Sequence, residues 1–290
     1  MTGRRGFTLV ELLVALVMMV LVAGGIYSLL GTTHRVSRKQ TEISNLQGNL
    51  RAGLNLVQSE LQEIYTDAAV GASDINVMTA ASLDYYAMRG IGETCGLTIG
   101  GGAMQIRQDG YSGRPPEAGR DRLKLFQDRD TLLSSDDVWL ESPITGVGEG
   151  VCTVGVAGAS WDLTVPALTA GDLVHPVSGD PLVFAPGPVR TVERMELGLV
   201  SDAGKDWLGI RSESGGEATL IPVIGPLFTG GLEFLYYDGA SVPTGAASAV
   251  KTIVVKLHGI SAEQVTTGLG STVGKPRDSV MVRVQLRNSR

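Results

Sequence analysis

Histidine, cysteine and aromatic side chains are all scarce in this 290-residue chain, which holds 3 histidines, 2 cysteines and 5% aromatics. His34, His175 and His258 each stand alone, and no G-x-S-x-G elbow accompanies them, so a hydrolase triad has little to be built from. Cys95 and Cys152 have no CxxC partner and no histidine pair nearby, which excludes a zinc site and a thioredoxin-type motif. Positive charge is also lacking. The formal charge is −6 and becomes more negative if Arg4 and Arg5 leave with a leader, and an acidic chain has no electrostatic footprint for nucleic acid. Glycine is abundant at 39 residues but has no fixed period, which excludes a collagen-like array and assigns most glycines to turns.

What remains is ordinary globular composition, 43% hydrophobic and 19% charged, in a chain long enough to bury a sizeable core. The two cysteines suit either one disulfide or two buried free thiols. If the body lies outside the cytoplasm, a Cys95 to Cys152 bridge closes a long loop and contributes about 4 kcal/mol by chain entropy.

One long apolar run stands out. From Phe7 to Leu30 the only side chain charged at neutral pH is Glu11, and at about 1.5 Å per residue a helix of this length spans a hydrocarbon core. An acid inside such a run is costly and asks for a counter-charge. No cation is available in the run itself. Cleavage after Gly6 would create one, because Phe7 would then carry an α-ammonium group about one helical turn from Glu11, in the same chain or an offset copy. An ordinary secretory signal cut near Gly25 is the rival, with Arg4 and Arg5 as its basic start and Val22-Ala23-Gly24 as small residues. The positive-inside count is nearly tied, since Arg35, Arg38 and Lys39 follow the span.

The string "GFTLVELLVAL", Gly6 to Leu16, resembles the class III signal of type IV prepilins and type II secretion pseudopilins. The resemblance implies cleavage between Gly6 and Phe7 by an inner-membrane prepilin peptidase and N-methylation of Phe7. It also implies that Glu11 aligns incoming subunits in a growing filament and that the body is periplasmic. Further on, "LIPVIGPLFTGGLEFLYYDG", "AVKTIVVKLHG" and the closing "VMVRVQLRN" look like the C-terminal half of minor pilins and pseudopilins of the PilW and GspJ type. Residues 75–189 carry no such likeness, and their length favours a pilus member over a secretion member.

Past Thr32 apolar residues recur at helical spacing, with Ile43, Leu50, Val57 and Ile64 every seven and Leu46, Leu54 and Leu61 between them. This predicts that the membrane helix continues to Tyr65–Ala69, with weak points at Gly24, Gly25, Gly48 and Gly53. After Asp74 short apolar runs separated by Gly, Pro and Asp predict strands, clearest in "VKTIVVKLHGI" and "SVMVRVQLRN", with further candidates in "RLKLF", "VWLE", "VCTVGV", "WDLTV", "PLVF", "RTVERMELGLV", "WLGIR", "ATLIPVI" and "LEFLYYD". The expected fold is α+β, a long N-terminal helix packed on a β-rich head of antiparallel sheets. Its parts are a leader (1–6), a transmembrane half (7–30), an amphipathic half (31–69) and a head (70–290).

Two stretches give weaker signals. "TIGGGAMQI" lacks the spacing and the following helix of a phosphate loop and predicts a hairpin turn. Asp128, Asp130, Asp136 and Asp137 lack the glycine and glutamate of a calcium loop and read as a solvated turn. The expectation is therefore a non-enzymatic filament subunit without cofactor or metal. Its partners would be prepilin peptidase, other pilins and the inner membrane, with no nucleic acid; the alternative is a secreted or anchored β-rich binding protein.

Overall fold

In a computed structural model, which describes residues 8–69, 71–98, 102–127, 138–168, 187–266 and 273–289, one helix precedes an assembly of strands. Two compact units are distinguishable. The first comprises the helix as far as Gly48 with Ile260–Asp278, and the second comprises Asn49–Gly259 with Ser279–Arg290.

The helix runs unbroken from Leu9 to Leu61 through all four of its suspected weak points. It stops short of the predicted Tyr65–Ala69. Beyond Leu61 the Tyr65 N–H donates to the Asp74 carboxylate at 3.0 Å, and Tyr65–Asp67 pairs as a strand with Ala72–Ser73 and Asn288–Ser289. The amphipathic segment therefore ends eight residues before position 69, and its last residues already belong to the β-rich unit.

In that unit Leu50, Gly53, Val57 and Leu61 form the buried stripe. Complete burial of each large apolar side chain contributes about 2 kcal/mol. Gly53 permits the closest approach, because a Cβ there would lie 2.7 Å from Ile224 Cγ2. In the first unit the Ser261 hydroxyl donates to Glu42 at 2.6 Å, and Val265–Thr266 pairs with Val273–Gly274.

The largest sheet places its strands in the order Arg277–Gln285, Thr252–Ile260, Ile221–Tyr237, Lys205–Ser212, Pro188–Asp202, Ser82–Thr98, Ala103–Arg107, Ala159–Thr164 and Gly146–Val151. From Thr252–Ile260 onward neighbours run antiparallel. Pro188–Asp202 is the organising strand. Ser82–Thr98 occupies one edge, while the other edge is shared by Asp121–Gln127 opposite 189–193 and Lys205–Ser212 opposite 195–202. The sheet thus forks between Glu193 and Met195. Val138–Pro143 extends the Asp121–Gln127 branch.

Among the described residues most predicted strands are present, with informative exceptions, while "PLVF" lies outside the described residues. The two runs "ATLIPVI" and "LEFLYYD" fall largely within one strand, Ile221–Tyr237. The run "VCTVGV" is strand only at Val151 and bends from Thr153 to Val156. Ser82–Thr98 has no counterpart among the predicted strands, although its alternating Leu83, Tyr85 and Ala87 are all buried. The predicted hairpin is formed by Ser82–Thr98 and Ala103–Arg107, which meet at Thr98 and Ala103.

Candidate functional site

Gly6 and Phe7 lie outside the described residues, so the site begins at Thr8. There the chain forms a capping box. The Thr8 hydroxyl accepts the Glu11 N–H at 3.3 Å, and the Thr8 N–H and hydroxyl each donate to the Glu11 carboxylate at 3.1 Å. A helix start leaves several N–H groups without partners, and this reciprocal arrangement satisfies two of them. Glu11 also places negative charge at the positive end of the helix dipole. The signature is legible in the sequence as Thr-x-x-Glu within "FTLVE".

Beyond this cap the helix is apolar on every side and uncovered. Leu9, Leu13, Met18, Leu21, Ile26 and Leu30 are all more than half exposed. The segment is long and apolar enough to cross a membrane. The Thr32 and Thr33 hydroxyls donate to the carbonyls of Ser28 and Leu29 at 3.0 and 2.9 Å, which satisfies them within the helix itself. His34 and the cations Arg35 and Arg38 follow, exposed.

In the β-rich unit Cys95 and Cys152 are joined by a disulfide, with Cα atoms 5.1 Å apart. It ties the end of Ser82–Thr98 to the turn after Gly146–Val151, where the Thr153 and Val154 N–H groups also donate to the Cys95 carbonyl. His258 shares a hydrogen bond with Ser279 at 2.7 Å. His175, Asp128, Asp130, Asp136 and Asp137 lie outside the described residues.

The sheet fork gathers a charged cluster that sequence reading did not anticipate. Glu193, with a side chain 2% exposed, sits where the two branches part. It accepts from Arg89 at 2.6 Å, Arg120 at 2.5 Å, Ser212 at 2.5 Å and Arg114 at 3.3 Å. Burial alone would raise its pKa, but the hydrogen bonds from Ser212, Arg89 and Arg120 outweigh it and pull the value down to about 2. Arg114 also clasps Asp121 through two bonds of 2.8 and 2.6 Å. Burial nevertheless holds the Asp121 carboxyl above its usual range. Arg89 reaches Glu60 on the helix at 3.2 Å, and Tyr85 donates to the same carboxylate at 3.2 Å. With every acid paired to a cation or donor, the cluster pins the helix end and both branches to one strand. No periodicity announces it, because its members are far apart in sequence.

Against known proteins, residues 1–27 match the family described as the prokaryotic N-terminal methylation motif. No curated protein and no solved structure matches the chain.

Proposed function

We propose that the chain is a minor subunit of a type IV pilus or type II secretion filament, cut between Gly6 and Phe7 by prepilin peptidase and N-methylated on Phe7. The observation that carries this reading is the methylation motif at residues 1–27, continuous with an uncovered apolar helix that opens on Glu11. The helix anchors the subunit in the inner membrane. On extrusion its apolar surface exchanges lipid for neighbouring helices, and the new ammonium of an adjacent subunit supplies the counter-charge for Glu11. The head is periplasmic, an orientation that the Cys95 to Cys152 bridge supports, since such bonds persist in oxidising compartments. Likeness to PilW and GspJ proteins in the closing strands supports a role in priming assembly or capping the tip, and the subunit has no catalytic activity of its own.

Mass spectrometry of the mature amino terminus tests this. N-methylated Phe7 is expected. Retention of Met1, or a start near Gly25, overturns the reading and favours a secreted binding module.

A further inference from the structure

Within the β-rich unit a lysine and a carboxylate face each other almost free of solvent. The Lys124 ammonium contacts Asp74 Oδ1, with side chains only 10% and 6% exposed. Lys124 lies on Asp121–Gln127 between two cross-strand neighbours, Arg190 on one side and Glu141 on the other. The Glu141 carboxylate is 3.8 Å from the Lys124 nitrogen, and the Tyr86 ring centroid is 4.5 Å from it. The second oxygen of Asp74 is fixed separately, by the Tyr65 N–H at 3.0 Å. Holding two opposite charges in such a site costs desolvation energy at both ends. A neutral amide in their place would not carry that cost.

We propose that Lys124 and Asp74 condense into an intramolecular isopeptide bond, with Glu141 as the proton carrier. The arrangement supplies what amide formation needs: a nucleophile in contact with the carboxyl group, a donor on the oxygen that gains charge, and a nearby base. One proton first passes from the ammonium to Asp74 Oδ1, giving an amine and a carboxylic acid. The amine lone pair attacks Asp74 Cγ, and the C–N bond forms as negative charge develops on Oδ2, which faces the Tyr65 N–H. Glu141 takes a second proton from the nitrogen and delivers it to Oδ1. The Cγ–Oδ1 bond then breaks, Oδ1 leaves as water with both protons, and the amide keeps one hydrogen on nitrogen. No oxidant or cofactor takes part, and Glu141 ends as it began. The bond would bridge 50 positions of chain, fastening the segment after the helix to the shorter branch of the sheet. Arg190, which lies over the Trp139 ring at 4.4 Å, and Arg122, which contacts Glu141, complete the charged surroundings.

The test is intact mass of the full chain, purified in detergent and reduced so that the disulfide adds no ambiguity, followed by peptide mapping. The wild-type chain is expected one water lighter than its processed sequence, with fragment ions joining the peptides that contain Asp74 and Lys124, and with no tryptic cut after Lys124. Lys124→Arg keeps the positive charge but cannot form the amide, and is expected at full mass. Glu141→Gln is expected to leave a large uncondensed fraction. Full mass in the wild type overturns the proposal. So does a water loss confined to the Asp74 peptide, which marks a succinimide. A Glu141→Gln chain condensed to the wild-type extent overturns the assignment of Glu141.

Discussion

Replacing Glu193 with glutamine removes one charge from the sheet fork while keeping the shape of the side chain. In the folded chain the carboxyl titrates at about 2, against 4.5 for the unperturbed group. That difference corresponds to about 3 kcal/mol of stability at neutral pH. The folded value is the lower one, so this stability is fully present above about pH 4.5 and is lost as pH falls toward about 2. Glutamine imitates the protonated acid and also leaves Arg89, Arg114 and Arg120 short of a shared anion. Urea unfolding of the detergent-solubilised full chain measures the effect. Trp139, Trp161 and Trp207, the only tryptophans, all lie in the β-rich unit and report its unfolding by fluorescence. At neutral pH the Glu193→Gln chain is expected to be less stable by about 3 kcal/mol, and the gap should close on acidification. Asp121 works in the opposite sense, because burial raises its pKa; comparing the two chains at each pH isolates Glu193. A gap below about 1 kcal/mol at neutral pH, or one that does not change down to about pH 2.5, would refute the network's electrostatic role.

Four further substitutions and one treatment bear on the helix and the bridge. Glu11→Gln preserves the capping geometry and removes only the charge, whereas Glu11→Ala removes both and costs about 1 kcal/mol at the helix start. Filament incorporation, read by immunoblot of sheared filaments, is expected to fail for both, and normal incorporation of Glu11→Gln would assign Glu11 to capping alone. Gly53→Ala gains helix propensity of about 1 kcal/mol but must push Ile224 aside, a strain of about 1–3 kcal/mol, so its urea midpoint should fall. Gly48→Ala meets nothing within 4 Å and should raise the midpoint or leave it unchanged. Reducing the Cys95 to Cys152 bond, which spans 57 positions, is expected to lower stability by about 4 kcal/mol in the same assay, and an unchanged midpoint would contradict the loop-closure argument.

Local pattern made the ends of this molecule legible and left its middle obscure. Heptad spacing identified Leu46, Leu50, Val57 and Leu61 because a helix repeats its faces within a few residues. The end at Leu61 was not visible, since it depends on Asp74 capturing the Tyr65 N–H from nine positions away. Alternation exposed the Thr252–Ile260 and Arg277–Gln285 strands. It was weaker in Ser82–Thr98, where Gly90, Gly92 and Gly96 dilute the pattern; Tyr111 packs against the first two. The fork joins Glu193 to arginines 73 to 104 positions away and to Ser212 19 positions on, and the lysine pair spans 50, so no short window contains either. Charged residues inside predicted strands are the trace that sequence offers: Lys124 within "RLKLF", and Glu193 and Arg194 within "RTVERMELGLV".

The even coating of Leu, Val, Met and Ile around the helix between Leu12 and Leu30 has a geometric corollary. A cylinder equally oily at every azimuth has no preferred heading in an apolar medium, so nothing in this stretch fixes rotation about its long axis. In the proposed filament its bearing would be set by what it docks against, so that one anchor would serve at successive steps of a spiral without redesign.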